Sequence, residues 1–196
     1  MDEEKSTRDR IINTATRLFQ LQGYHATGLN QILKESNAPK GSLYYYFPRG
    51  KEELALECIN LTEVLVEKTL REKLVKIDDP VESIRNFIEE IIGNTNLEKN
   101  EKLSINSTKI VSVNLIALET SSTNETLRKA CQSAFNTWRN VYTEKLVEGG
   151  FNKEKAETLG MVIESMVEGA IVLSLTTKSD TPLLKIAEQI PFILNH

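Results

Sequence analysis

The sequence predicts an all-α fold, a small N-terminal three-helix bundle followed by a larger helical domain, and three observations predict it. Apolar residues recur three and four positions apart along most of the chain. No segment alternates apolar and polar residues as a half-buried strand does, and no short-period repeat appears. The breaks between periodic stretches carry helix signals: Ser6 or Thr7, Asp79-Pro80, residues 121–124, Asn152 and Thr181-Pro182 at starts, Gly23 and Gly149-Gly150 at ends. A chain of 196 residues suffices for one large core, or for a small domain joined to a larger one.

The first helix turns Ile11, Ile12, Ala15, Leu18 and Phe19 inward and ends at Gly23. Residues 27–54 then compress two short helices, a tight turn and the start of another helix into one module. Thr27 suits the N-cap of a helix in which Leu29, Ile32 and Leu33 share a stripe, ending near Ser36. Asn37 and Ala38 form the turn, and Pro39 brings the fixed φ of a first helical position, where no N–H is needed. The next helix is very short, residues 40–46, anchored by Leu43 and Phe47 and stopped by Pro48-Arg49-Gly50. Lys40, Ser42, Tyr45 and Tyr46 are left on the surface of a unit too small to bury them. This is the arrangement that sets a helix in the DNA major groove, and such donors match phosphates and base edges. Four of the five tyrosines lie between Tyr24 and Tyr46. A phenol packs its ring while offering its hydroxyl to phosphate, and Tyr46 is the best such group. Tyr24 reads as a core residue.

From Lys51 a long helix runs into the seventies with Leu54, Cys58, Leu61 and Leu65 on one stripe, a mechanical link whose N-terminus adds to the attraction of Lys51 for phosphate. A helix after Asp79-Pro80 carries Ile84, Phe87, Ile88, Ile91 and Ile92, and residues 94–106 are polar and loop-like. An apolar segment over 110–118 precedes a helix with Leu127, Cys131, Phe135, Trp138, Tyr142 and Leu146. Past Asn152, the segment to about Leu175 is apolar on more than one face and needs neighbours on several sides, which a second subunit supplies. A final helix carries Leu183, Leu184, Ile186, Ala187 and Ile190.

The run Gly41, Tyr44, Phe47, Lys51, Glu52 and Leu54 resembles the hallmark of the TetR family of bacterial repressors, and the chain as a whole is similar to the LmrA/YxaF-like branch of that family. Pro39 stands where most of the family has a Ser or Thr cap, and the Pro48-Arg49-Gly50 spacer is one residue longer than usual. The resemblance implies a helix-turn-helix DNA-binding domain over residues 1–50 and a helical effector-binding and dimerisation domain over 51–196. It also implies DNA-backbone contacts at Thr27, Lys40, Tyr44, Tyr46 and Lys51; with Ser42 and Tyr45 from the surface reading, these form the expected DNA-binding set. In the family the last two helices build a four-helix dimer interface, to which Gly160 and Gly169 would admit a close helix. The branch is associated with drug-efflux or flavonoid-responsive genes, and here Ser112 and Asn114 replace its usual Pro and Gly.

Charge agrees with this division. The net charge is −4, yet residues 5–51 carry +6, the four residues before them −3 and the remainder −7. The basic charge sits on the DNA-reading segment, and the acidic remainder keeps the wrong face off DNA. No apolar run is read as a membrane span, residues 1–10 are unlike a secretory signal, and the expectation is a cytoplasmic protein. Cys58 and Cys131 read as buried reduced thiols, and with His25 and His196 alone a metal site has little support. No nucleophile, paired-carboxylate or metal signature points to an enzyme, and no cofactor is expected.

The expected function is a ligand-responsive repressor that binds a palindromic operator in double-stranded DNA as a homodimer and is released by a small, largely apolar effector, aromatic or flavonoid-like. The effector lining is expected at Phe87, Ile91, Val113, Leu118, Phe135, Trp138 and Met166, although core packing explains each of them singly. The competing reading is an architectural or protein-interaction module that binds DNA without an effector.

Overall fold

The computed structural model describes residues 6–95 and 105–195, and the described residues form nine helices and no strand. They are α1 (Thr7–Ala26), α2 (Leu29–Glu35), α3 (Lys40–Tyr46), α4 (Lys51–Leu74), α5 (Pro80–Thr95), α6 (Ile105–Thr120), α7 (Glu125–Glu148), α8 (Lys153–Thr177) and α9 (Thr181–Leu194). Of the expected polar loop at 94–106, both ends are helical and residues 96–104 lie outside the described residues.

The starts follow from side-chain caps that satisfy the first free N–H groups of each helix. Ser6 Oγ accepts from the Asp9 N–H, Asp79 from Glu82, Asn124 from Leu127 and Asn152 from Lys155. α1 runs past its expected end, but the backbone breaks inside it at Gly23, whose φ of +80° is left-handed. The φ itself calls for glycine, and a Cβ there would fall 2.1 Å from a Glu119 carboxylate oxygen, so that carboxylate would have to move aside.

The chain forms two compact units. The first holds residues 6–62 together with Thr108–Ala134, and the second residues 63–95, 105–107 and 135–195. In the first unit Ile11, Ala15, Phe19, Ile32, Leu43 and Phe47 are joined in the core by Leu54, Ala55, Cys58 and Ile59 of α4, and Val113, Ile116, Leu127 and Cys131 of α6 and α7. Both cysteines are free, and burial pushes each thiol up to about 12, so they are inert apolar filler.

In the second unit α9 packs against both α5 and α8. Trp138 is buried with its indole N–H donating to the Glu63 carbonyl at 3.2 Å, and the buried Lys145 ammonium donates to the Ile77 carbonyl at 2.6 Å. Gly160 lets α8 approach α7: a Cβ there would lie 2.3 Å from the Thr143 hydroxyl oxygen and 3.3 Å from the Arg139 carbonyl. Close approach at Gly160 is thus made within the chain.

Two expectations are corrected. The inward stripe of α4 departs from Leu54 and Cys58 through Ile59, Thr62, Val66, Leu70 and Leu74, while Leu61 is exposed and Leu65 only half-buried. The expected stripe alternates steps of four and three along one face, whereas the buried positions step by four from Cys58 to Leu74 and so advance around the helix by about 40° at each step, and they include a threonine whose hydroxyl returns to the Cys58 carbonyl at 2.8 Å. The second concerns α8, which is long and apolar enough to cross a membrane by length and composition, contrary to the reading that no run approaches that length. Nearly half of that apolar window is buried inside the chain. Glu164 and Glu168 interrupt it, which disguised its length in the sequence.

Candidate nucleic-acid interface

Seven residues make α3, too few to be stable alone, so tertiary anchors hold it. Leu43 and Phe47 are fully buried, and the Arg8 guanidinium lies 5.7 Å over the Phe47 ring. Truncating either anchor to alanine costs about 2–5 kcal/mol. The turn before α3 is equally fixed. Asn37 takes the left-handed φ of +49° that asparagine tolerates, the Ala38 N–H donates to the Leu33 carbonyl at 3.1 Å, and Arg10 of α1 donates to the carbonyls of Ser36 and Asn37 at 3.3 and 3.4 Å.

With that face committed, the other face of α3 points out. Lys40, Tyr44 and Tyr45 are exposed, Tyr45 at 78%, while Ser42 and Tyr46 are half-exposed. The Tyr45 and Tyr46 rings meet edge to face with centroids 5.0 Å apart, which steadies both phenols. Tyr44 is 54% exposed. The structure therefore brings Lys40, Ser42, Tyr44, Tyr45 and Tyr46 together on one short helix.

Thr27 and Lys51 are placed differently. Thr27 does not cap α2: Gly28 occupies the N-cap without a side-chain bond, and Thr27 is fully buried with its hydroxyl donating to the Gly23 carbonyl at 2.6 Å. The break at Gly23 leaves a carbonyl without its helical partner, and a buried hydroxyl beside it is drawn there in preference to the next helix. Pro39 likewise sits one position earlier than expected, as the N-cap of α3. Lys51 is half-buried at the start of α4, its ammonium donating to the His25 carbonyl at 3.2 Å and lying 4.5 Å over the Tyr24 ring. Burial draws its pKa below the ordinary lysine value, while Glu119 opposes that shift. Tyr24 is thus a half-buried platform under Lys51.

Sequence reasoning missed the groups that brace this surface. Glu119 of α6 accepts from the His25 backbone N–H at 2.9 Å, and Asn124 donates to Glu52 at 2.7 Å. Their partners are 94 and 72 residues away, so no local pattern discloses them. Arg10 and Arg8 were visible only as charge.

The expected effector residues fall in both units. Phe87, Ile91 and Trp138 are buried, and Phe135 and Met166 half-buried, in the second unit; the Phe135 ring meets Trp138 edge on at 5.6 Å. Val113 and Leu118 belong to the first unit. Val113 is fully buried, but Leu118 is 77% exposed and so is withdrawn as a pocket wall: its turn of α6 buries Ile116 and Thr120 instead. A buried group the sequence reading passed over is Glu164, 7% exposed, with one carboxyl oxygen unpartnered among the described residues. Burial pushes its pKa up to about 9, with Glu168 adding to the shift and Arg139 opposing it. Among the described residues no group of His, Cys, Asp and Glu could hold a metal ion.

Residues 11–58 match the family model for bacterial regulatory proteins of the tetR family, and residues 80–189 match the C-terminal domain of LmrA/YxaF-like transcriptional regulators. The chain is 48% identical to the HTH-type transcriptional regulator YxaF of Bacillus subtilis over 194 residues, covering 99% of this chain and 98% of that one. It is 44% identical to the HTH-type transcriptional regulator LmrA of the same organism over 188 residues, covering 96% of each. In structure it is similar to a TetR transcriptional regulator from Legionella pneumophila, with a TM-score of 0.80, 22% identity and coverage of 97% and 98%. Proteins of this family are DNA-binding transcriptional regulators rather than enzymes, and they act as dimers with small-molecule effectors. An N-terminal helix-turn-helix that matches the tetR family model, followed by a helical C-terminal domain of matching sequence, therefore places this chain in the TetR family, among regulators with an LmrA/YxaF-like C-terminal domain.

Proposed function

We propose that this protein is a ligand-released repressor that binds a palindromic operator as a homodimer, through α3, in the cytoplasm. The observation that carries the reading is the outward set on α3, Lys40, Ser42, Tyr44, Tyr45 and Tyr46, held by two fully buried anchors on the opposite face. Lys51 adds a phosphate contact from the start of α4. Thr27, buried and bonded to Gly23, supports the surface from beneath. One seven-residue helix reads few bases, so two copies related by a two-fold axis, about 34 Å apart along the duplex, give the specificity an operator needs.

Exposed apolar residues support the dimer. Met161, Val162, Val172 and Leu173 of α8 and Leu184 and Phe192 of α9 are large, apolar and 37–63% exposed. The effector is small and largely apolar, aromatic or flavonoid-like, held in the second unit by Phe87, Ile91, Phe135, Trp138 and Met166. The functional division we propose assigns residues 1–50 to DNA reading and 51–196 to effector binding and dimerisation. Operator selection followed by gel shift tests the reading: the Lys40→Ala, Tyr46→Ala double variant loses at least about tenfold in operator affinity. Wild-type affinity in that variant would remove the assigned reading surface.

A further inference from the structure

The Glu164 side chain is buried on α8, and its Oε1 finds no hydrogen-bond partner among the described residues. The great majority of buried polar atoms in folded proteins are partnered, so this oxygen calls for a donor that the chain itself does not supply. The charged and titratable groups that act on it are Glu168, one turn further along α8, and Arg139 and Tyr142 of α7. Arg139 makes no ion pair with it among the described residues, and its guanidinium reaches the Met161 sulfur at 4.0 Å instead. Gly160, one turn before Glu164, brings α8 onto α7 at Arg139 and Thr143, so the carboxyl is carried against α7 by close backbone packing.

The surroundings are aromatic. Phe87 of α5 meets the buried Tyr142 ring edge on at 6.3 Å, and Phe135 meets Trp138 at 5.6 Å. Phe87, Tyr142 and Glu164 lie in one compact unit, so α5, α7 and α8 contribute rings and a single orphaned carboxyl to it. Charge narrows what that carboxyl can take. Burial favours its neutral form, and Arg139 already sets a positive charge nearby, so a cationic ligand is opposed twice. Glu168 opposes an anion in the same way. A hydroxyl both donates and accepts, and so fits either oxygen of a neutral carboxyl. We infer that Glu164 is the polar anchor of the effector site, its carboxyl hydrogen-bonded to a hydroxyl on an otherwise apolar, uncharged aromatic effector. The inference rests on the effector reading given above and adds to it the group that is recognised.

Its test is isothermal titration calorimetry of the full-length protein with galangin, a hydroxylated flavone, and with its fully O-methylated ether, which keeps the rings and loses every donor. Wild-type protein binds galangin about tenfold more tightly than the ether, the worth of one buried hydrogen bond. Glu164→Leu, similar in volume and at home among apolar groups, removes that preference. Glu164→Gln stays neutral with a donor and an acceptor in place, and keeps it. Circular-dichroism melts of both variants verify folding. A preference that survives in Glu164→Leu overturns the anchor, as does equal binding of the two compounds by the wild type. Tighter binding of a cationic aminoethyl ether of the same flavone would mark an ion-pair site and overturn it as well. If the wild type binds neither flavone, the anchor and the flavonoid-like effector fall together, while gel shift still judges the α3 reading by itself.

Discussion

Glu164 shows how a single side chain sets a pH response. It lies in the second unit near the buried Tyr142 hydroxyl, whose own pKa burial and the two glutamates raise, with Glu168 and Arg139 as the other charged groups that act on it. A buried acceptor left without a partner costs about 1–3 kcal/mol. With its pKa at about 9 against an ordinary 4.5, the folded protein holds a proton here that the unfolded chain has lost. Stability from this group is therefore full below about pH 4.5 and declines as pH rises toward 9. Glu164→Gln keeps the shape and removes the titration. At pH 8 the variant should melt above the wild type by about 2–4 °C for each kcal/mol recovered, and at pH 5 the two should coincide. A gap of equal size at both pH values, in paired thermal melts, would mean that the carboxyl does not titrate in this range.

Among the elements, α8 is apolar on more than one face. Ala156, Leu159, Ile163, Val167, Ala170 and Ile171 are buried within the chain, and Met161, Val162, Val172 and Leu173 remain exposed on other faces. Covering what remains exposed of these side chains, spread over more than three turns, contributes about 1 kcal/mol each. On the proposed dimer they are covered by the partner's copy of α8 and α9. Leu173→Glu should then shift the protein from dimer to monomer in size-exclusion chromatography with light scattering, and lower operator affinity steeply because paired half-sites are lost. A dimer of unchanged mass would show that this face is not the joint. The periodicity of α8 was legible in the sequence, and so was its excess of apolar residues. Its buried glutamate was not, because a helical period gives a face and not what lies opposite that face.

At the scale of the molecule, local signals were read well and long-range ones poorly. The bounds of α3 and the turn at Asn37 follow from chemistry within four residues and agree with the structure, which selects Ser6 from the start at Ser6 or Thr7 and Asn124 from the 121–124 cluster. Thr27 failed as a cap because the backbone break at Gly23 competed for its hydroxyl, and Leu118 failed as a pocket wall because α6 faces the other way there. Charge also acts at this scale: a segment of +6 on a chain of −4 steers the reading end toward DNA, an effect that fades as salt screens it. An effector that binds the folded dimer must raise its melting temperature, since occupancy at a hundred times Kd adds about 2.7 kcal/mol. A thermal-shift screen of hydroxylated flavones and other flat apolar compounds should therefore find one that both raises the melt and releases operator DNA. A compound that raises the melt yet leaves operator bound would favour a site outside the regulatory path.

The first unit draws its core from two separate stretches of chain, since Val113, Ile116, Leu127 and Cys131 join a stretch that runs from α1 through Leu54 to Ile59 of α4. Anyone wishing to transplant this reading head onto a foreign sensor faces a seam that crosses the polypeptide near Thr62, Thr108 and Ala134. A fusion cut at Gly50 would strip α1 to α3 of much of their floor, and Lys51 would lose its place over Tyr24. Hybrid regulators are better made by redrawing the surface of α3 in place, where the exposed Lys40 and Tyr45 can be exchanged without touching Leu43 or Phe47.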